Sequence, residues 1–202
     1  MPPHHHPDPP VPEVRTDRLS PSVDAALDEL AADVRSGIVA IDGPSGAGKS
    51  TVADALVGKL RDRGTGVVLV RTDDFATWDD PVAWWPELEH DVLHAFARRR
   101  DYRYHPRVWV DGVPRKGARV WYRWQPLLVI EGVSAARRSV AARLSHALWL
   151  DGASAADRLR RTVARDGEAA RADLERWQQF ESGWFAVDRT RERCRVLDAP
   201  DG

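Results

Sequence analysis

A glycine-rich segment carries the clearest chemical signal in the sequence. It runs Gly43-Pro44-Ser45-Gly46-Ala47-Gly48-Lys49-Ser50-Thr51 and satisfies the pattern G-x-x-x-x-G-K-[ST]. Glycines let the backbone fold closely around phosphate oxygens, so that successive N–H groups can point at an anion. In this pattern the lysine reaches the β- and γ-phosphates of ATP, and the hydroxyl after it binds Mg²⁺. The residues predicted to bind ATP here are Gly43, Ser45, Gly46, Ala47, Gly48, Lys49, Ser50 and Thr51.

A carboxylate suited to the same metal ion follows another part of the chain. Glu131 ends the apolar run 127–130, which has the length of a buried strand. In open α/β sheets, ligands bind outside the carboxyl ends of the strands, where a carboxylate can hold Mg²⁺ directly or through water. We predict that Ser50 and Glu131 are the protein ligands of Mg²⁺. The alternative is that Glu131 is only a polar strand end.

The elements that must position these groups show in the hydrophobic pattern. Apolar runs of strand length occupy residues 38–41, 67–70, 127–130 and 147–150, with a weaker fifth candidate at 195–197. Helical patterns cover 51–63 and 157–165, and a leading helix begins at Ser20 and Pro21 and ends before Gly37. The alternation predicts an α/β domain with the P-loop NTPase fold. Its parallel sheet has about five strands, with helices on both faces.

Length and composition are typical of one globular domain. The chain has 202 residues, of which 43% are hydrophobic and 30% are charged. The first 18 residues are rich in proline, include the run His4-His5-His6, and offer almost no apolar surface to bury. We therefore expect a disordered leader over 1–18 and a single domain over 19–202.

The charge balance excludes several classes of partner. Lys and Arg total 30 and Asp and Glu total 31, so the chain lacks the positive field that draws proteins to nucleic acid or to anionic membranes. No apolar stretch approaches the roughly 20 residues of a membrane span. Cys194 is the only cysteine, which precludes an intrachain disulfide and agrees with a cytoplasmic location. The expected partner is a small-molecule substrate, and assembly into a homo-oligomer stays open.

Two further segments separate the classes of P-loop protein. Thr72-Asp73-Asp74-Phe75 follows the second predicted strand, and Arg158, Arg161 and Arg165 recur at a spacing that places them on one helix face. The chain contains no N-K-x-D and no D-x-x-G sequence, which disfavours a switch GTPase. With these segments the sequence resembles the uridine kinase-like branch of P-loop kinases, which includes pantothenate kinase and phosphoribulokinase. The similarity extends from about residue 38 to residue 198.

This resemblance implies a phosphotransferase that moves the γ-phosphoryl group of ATP to an alcohol. An aspartate after the second strand is the family's catalytic base, and Asp73 matches it, with Asp74 as the alternative. The arginine helix resembles the family's mobile lid, whose cations close over the phosphates. By this resemblance Lys49, Arg161 and Arg165 are catalytic and Arg158 binds the nucleotide. A solvated helix face is the other interpretation of the three arginines.

The resemblance also suggests residues for the acceptor pocket. Trp84 matches an aromatic position beside the family's acceptor site, and Tyr104 and Arg107 lie in a segment that departs from the family's Pro-x-Tyr-Asp order. Phe75 either stacks on substrate or packs in the core, and Trp84 has the same two alternatives. A neutral nucleoside such as uridine or cytidine is the first-choice acceptor. An inward-facing Arg107 would instead favour an anionic one.

A function of another class is a regulatory ATPase that senses nucleotide and has no small acceptor. Such a protein needs the phosphate-binding loop but has no use for a base that faces the γ-phosphate. Asp73 is therefore the residue that discriminates between the two functions.

Overall fold

The computed structural model describes residues 19–79, 82–110 and 112–197. The predicted leader over 1–18 therefore lies outside the described residues, and the single-domain prediction for 19–202 stays a prediction. The strands are β1 (Gly37–Asp42), β2 (Val67–Arg71), β3 (Tyr102–Tyr104), β4 (Arg107–Val110), β5 (Val113–Lys116), β6 (Val120–Tyr122), β7 (Leu127–Glu131), β8 (His146–Leu150) and β9 (Arg195–Leu197). The α-helices are α1 (Pro21–Asp33), α2 (Lys49–Asp62), α3 (Trp85–Leu88), α4 (His94–Ala97), α5 (Ala155–Asp166) and α6 (Arg171–Asp188).

Five strands form one parallel sheet in the order β2-β7-β1-β8-β9. They are the five apolar runs expected from the sequence, so the predicted α/β fold and strand number are confirmed. Glu131, at the end of β7, lies level with Ile41 of β1 and Arg71 of β2. The loops that follow these three strands consequently emerge together at the carboxyl edge of the sheet.

Alternate residues of the central strands face two separate hydrophobic cores. On one face, Val39 and Ile41 pack with Leu27 of α1 and Leu56 of α2. On the other face, Ile38 and Ala40 belong to a cluster that is rich in aromatic side chains. The period of two along a strand explains this division, because successive side chains point to opposite faces.

The local signals for the first helix act as expected. The hydroxyl of Ser20 accepts a hydrogen bond from the backbone N–H of Val23 at 3.3 Å, and Pro21 occupies the first helical position. Both features are favourable at a helix N-terminus, because the cap satisfies an N–H that has no intrahelical partner and proline lacks an N–H to satisfy.

Two small antiparallel sheets were not expected from the sequence. Strand β3 pairs with β6, and β4 pairs with β5 to form a hairpin. These strands have only three or four residues each.

Along the described parts of the chain, no helix combines the length and apolar character needed to cross a membrane.

Candidate active site

The phosphate-binding loop connects β1 to α2 at the carboxyl edge of the sheet. Gly43 has a φ of 142°, and a Cβ atom at this position would collide with the carbonyl oxygen of Leu150 on β8. Gly48, the residue before α2, has a φ of 90°. A side chain is excluded at Gly43 by close approach and is strained at both positions by the backbone conformation. The glycines of the motif are thus required by the fold itself.

The amino-terminal half of the loop is hydrogen-bonded to protein groups. The N–H of Gly43 donates to Asp42 Oδ1 at 2.7 Å. The N–H of Ser45 donates to both carboxylate oxygens of Glu181, at 3.0 and 2.9 Å, and the Ser45 hydroxyl donates to Oε2 at 2.8 Å. Glu181 lies on α6, 136 residues away along the chain. These bonds fix the start of the loop before any ligand binds.

The carboxyl-terminal half of the loop keeps its donors available. Within the described residues, no protein acceptor takes the backbone N–H of Gly46, Gly48, Lys49 or Ser50. The last two belong to the first turn of α2, where N–H groups have no intrahelical partner. Unpaired N–H groups together with the positive end of a helix dipole form a binding site for phosphate.

Lys49 is held close to this set of N–H groups. Its side chain is buried, and Nζ donates a hydrogen bond to the carbonyl oxygen of Pro44 at 2.9 Å. A buried ammonium with a carbonyl as partner retains donors for a second, anionic partner. The lysine therefore has the position and the charge needed to bind nucleotide phosphates.

The two predicted metal ligands lie side by side. The hydroxyl of Ser50 donates to Glu131 Oε2 at 3.3 Å, and Arg71 Nη1 donates to the same oxygen at 3.0 Å. Burial raises the pKa of Glu131, while the charges of Lys49 and Arg71 oppose that effect. Arg71 also pairs with Asp54 at 2.7 Å. The sequence analysis missed Arg71, although it directly follows the apolar run of β2.

These side chains fit Mg²⁺ bound together with a nucleotide. No cluster of three or more metal-ligating side chains occurs among the described residues, so Ser50 and Glu131 would supply at most part of a coordination shell. Mg²⁺ typically keeps several water molecules and takes substrate phosphates as ligands next to one or two carboxylates. A two-residue site beside the loop N–H groups agrees with that preference.

The adjacent carboxylates Asp73 and Asp74 have different surroundings. Asp73 is exposed. Burial raises the pKa of Glu131 and the charge of Asp73 raises it further, which places Asp73 within electrostatic reach of the predicted metal ligand. Asp74 accepts a hydrogen bond from the hydroxyl of Tyr104 at 2.6 Å. Burial, followed by the charge of Asp73, raises the pKa of Asp74. Of the two carboxylates, Asp73 is the exposed one, and Asp74 is the one hydrogen-bonded within the protein.

The predicted lid arginines occupy different positions on α5. Arg165 donates two hydrogen bonds to Asp166. These bonds raise the pKa of Arg165, and the charges of Asp73 and Glu131 raise it further. Arg158 donates to the carbonyl of Ala153 at 2.6 Å, and its buried Nε has no partner. Arg161 is exposed. Of the three, Arg165 shares an electrostatic environment with Asp73.

Helix α5 approaches the phosphate-binding loop very closely. A Cβ atom on Gly46, whose φ is 76°, would lie 2.8 Å from the carbonyl oxygen of Arg158 and 3.0 Å from its Cβ atom. The backbone of the lid helix therefore touches the loop itself. This contact places Arg158, the first of the predicted lid arginines, beside the phosphate-binding loop.

Of the five residues predicted to contact the acceptor, which include Asp73, three lie in the aromatic core. Phe75, Trp84 and Tyr104 have exposed fractions of 1%, 6% and 2%. The ring of Phe75 stacks on that of Trp84, with centroids 5.7 Å apart. Arg107 forms an ion pair with Glu87 at 3.0 Å. The packing alternative thus describes Phe75 and Trp84 in this structure, and Arg107 has an acidic partner within the protein.

Another group of aromatic side chains lies nearer the surface. Trp78, five residues after Asp73, contacts Trp109 of the β4–β5 hairpin and Trp177 of α6, with ring centroids 4.8 and 6.0 Å away. No sequence pattern connects these three tryptophans, because they come from separate elements.

Comparisons with known proteins find similarity in structure. One solved structure, described as a possible uridine kinase from Bacillus stearothermophilus, matches with a TM-score of 0.63 and 17% identity, over 87% of this chain and 97% of that one. A candidate fructose transport system kinase from a Silicibacter species matches with a TM-score of 0.61 and 18% identity, over 89% and 98%. No protein-family model and no curated protein sequence matches the chain. The chain therefore shares the P-loop kinase fold of these proteins, and the resemblance found in the sequence is confirmed for the fold.

Proposed function

We propose that the chain is an ATP-dependent kinase that transfers the γ-phosphoryl group of ATP to a hydroxyl group of a small molecule. The observation that carries this proposal is the exposed carboxylate of Asp73, which lies at the same sheet edge as the phosphate-binding loop and in the electrostatic field of Glu131 and Arg165. A protein that only binds nucleotide has no need of a base at this place.

Each side chain has a definite part in the proposed reaction. The free N–H groups of the loop and Lys49 hold the β- and γ-phosphates. Asp73 accepts the proton of the acceptor hydroxyl as its oxygen attacks the γ-phosphorus. The bond from that phosphorus to the bridging oxygen breaks, and ADP leaves. Mg²⁺ held by Ser50 and Glu131 would supply positive charge to the phosphates.

The lid arginines complete the set of cations. Arg165 and Arg161 would stabilise the charge on the transferring group, and Arg158, beside Gly46, would hold the nucleotide. Arg165 is paired with Asp166 in this structure.

A neutral acceptor with a primary hydroxyl, and first a nucleoside, is the preferred substrate. The ion pair between Arg107 and Glu87 supports a neutral acceptor, because that guanidinium already has a carboxylate as partner. Trp78 and Trp109 offer aromatic surface near the loop of Asp73, which suits a flat ring or a sugar face. Of the two structural neighbours, one is described as a possible uridine kinase and the other as a fructose transport system kinase.

The test is ADP release with a panel of acceptors. Uridine, cytidine, fructose, pantothenate and a phosphorylated sugar would each be added to the protein with ATP and Mg²⁺. We expect release that depends on a neutral acceptor, and a loss of about 100-fold or more in Lys49→Ala, since one preorganised electrostatic donor contributes roughly 2.7–4 kcal/mol to the transition state.

Three outcomes would contradict parts of the proposal. Full activity in a folded Lys49→Ala variant would exclude the phosphate-binding loop as the site. Turnover of the phosphorylated sugar alone, lost in Arg107→Ala, would reject the neutral acceptor. ADP release that no acceptor stimulates would favour a regulatory ATPase.

A further inference from the structure

Glu181 is a buried acid whose partners all belong to one residue of the phosphate-binding loop. Its exposed fraction is 1%, and it accepts three hydrogen bonds, all from the N–H and hydroxyl of Ser45. A buried carboxylate is costly unless such bonds compensate it, and an unpaired buried N–H is costly as well. The two residues therefore satisfy each other, and neither contact is incidental.

The helix that carries Glu181 is anchored on both sides of it. One face of α6 presents Trp177, Glu181, Trp184 and Asp188. Trp177 contacts Trp78 in the segment after β2, and Asp188 accepts from the backbone N–H of Arg138 after β7 at 3.1 Å. Because α6 is fixed to the segments that follow β2 and β7, the Glu181 carboxylate is held at a defined place above the loop that follows β1.

Ser45 lies at the boundary between the part of the loop whose N–H groups bond to protein groups and the part that, among the described residues, contains the free N–H groups. Gly43 and Ser45 donate to protein groups, whereas the N–H groups from Gly48 to Ser50 have no protein acceptor within the described chain. The orientation of the free donors depends on how the bonded half is held. Preorganised donors bind an anion better than donors that must be ordered during binding.

We propose that Glu181 is a positioning residue that holds the phosphate-binding loop through Ser45 in the shape that binds nucleotide. The inference rests on the proposed function only in requiring that the loop binds nucleotide. It does not require transfer to an acceptor.

The opposite role for the same contact would be competition, in which the carboxylate stands in for a phosphate. The charged groups that face Glu181 are Lys49 on α2 and Arg158 on α5, and both also face the predicted phosphate site. Competition predicts that removal of the negative charge tightens nucleotide binding. Positioning predicts that it weakens binding, so the sign of the change separates the two roles.

Glu181→Gln is the decisive variant, because it keeps the shape of the side chain and removes one of its two acceptors. Its amide oxygen can still accept from Ser45, but its NH₂ group would face a donor. The matched control is Glu175→Gln, an exposed position on the same helix. Mg·ADP binding would be measured by calorimetry, with circular dichroism to check the fold of each variant.

We expect Glu181→Gln to weaken Mg·ADP binding about tenfold at pH 8, the effect of losing roughly one hydrogen bond to a charged group, and Glu175→Gln to bind like the wild type. Burial raises the pKa of Glu181, with Lys49 opposing that effect. As the pH falls through this raised pKa, the wild-type carboxylate gains a proton and becomes similar to glutamine. The ratio of the two dissociation constants should therefore fall toward one as the pH falls through this pKa, and the protonation of ADP cancels in that ratio.

A double-mutant cycle with Ser45→Ala tests the route of the effect. If Glu181 acts through Ser45, the two substitutions together should cost less affinity than the product of their separate losses. Equal or tighter binding by Glu181→Gln at pH 8 would overturn the inference while the proposed function stands. A folded wild-type protein that binds no Mg·ADP would overturn both.

Discussion

Asp73 and Asp74 are neighbours in the chain, but their side chains have opposite environments. Asp73 is exposed at the edge of the phosphate site, whereas Asp74 is half-buried and accepts a short hydrogen bond from Tyr104. A base must reach the substrate hydroxyl, and a carboxylate committed to a buried tyrosine is poorly placed to do so. The two residues should therefore respond differently to the same substitution.

We predict that Asp73→Asn lowers kcat by about 100-fold or more and changes the affinity for ATP little, because it removes general base catalysis and keeps the shape of the side chain. Steady-state kinetics and ATP binding check this. Asp74→Asn should mainly lower the free energy of unfolding. Tyr104→Phe, which removes the donor to Asp74, should do the same. Loss of kcat in Asp74→Asn with full activity in Asp73→Asn would show that Asp74, and not Asp73, is the catalytic base.

At the scale of elements, the backbone of α5 lies in close contact with the phosphate-binding loop. Gly46 leaves room for the backbone of Arg158, and a side chain there would meet a carbonyl oxygen at 2.8 Å. A backbone group cannot rotate away as a flexible side chain can. A substitution at Gly46 consequently acts directly on the position of α5.

We predict that Gly46→Ala displaces α5 and destabilises the protein by about 1–3 kcal/mol, because it adds a steric clash at a position with positive φ. It should also weaken Mg·ADP binding. Gly58→Ala is the control, since Gly58 lies exposed within α2 with open space around it. That substitution should stabilise the protein by about 0.5–1 kcal/mol. Urea denaturation measures the free energy of unfolding of both variants. Equal stability of the two would contradict the close approach of Gly46 to the backbone of Arg158.

At the scale of the whole molecule, one buried carboxylate connects separate parts of the structure. Asp42 ends β1 and accepts hydrogen bonds from the backbone N–H groups of Gly43, Ser134 and Ala136, at 2.7, 3.0 and 2.8 Å. It thereby joins the central strand, the phosphate-binding loop and the segment after β7. Burial raises the pKa of Asp42 to about 7, despite the N–H groups that favour its charged form.

We predict a specific pH dependence of stability from this group. Between the unfolded pKa of 3.8 and the folded value of about 7, the native state binds a proton more tightly than the unfolded state does. The contribution of Asp42 to stability is therefore fully present below the lower value and is lost as the pH rises to the higher one. The loss should be about 4 kcal/mol.

The measurement is urea denaturation of the wild type and of Asp42→Asn across this pH range. The difference in their free energies of unfolding should change by the predicted amount, because asparagine does not titrate. Parallel pH profiles of the free energy of unfolding for the two proteins would contradict a raised pKa of Asp42 in the folded state.

Sequence patterns alone identified the elements whose signals are local. The five runs of apolar residues became the five strands of the parallel sheet, and Ser20 and Pro21 marked the start of α1. Such signals lie within a few residues of one another, so the chain order reveals them. The two antiparallel sheets were missed because their strands have only three or four residues and a mixed pattern of apolar and polar residues. In addition, β3 and β6 are far apart in the chain, whereas β4 and β5 are separated by only two residues.

The candidate site divides in the same way. The glycines, Lys49 and Ser50 form one contiguous motif whose conformation is largely prescribed by glycine and by the helix that follows, and the sequence by itself determined that phosphate-binding loop. Tertiary structure alone decided that Glu181 holds Ser45, that Arg71 pairs with Glu131, and that Phe75 and Trp84 lie in a core. The physical reason is that these contacts join residues from separate elements. Burial and hydrogen bonding at such points depend on how the elements pack, and no spacing along the chain records that packing.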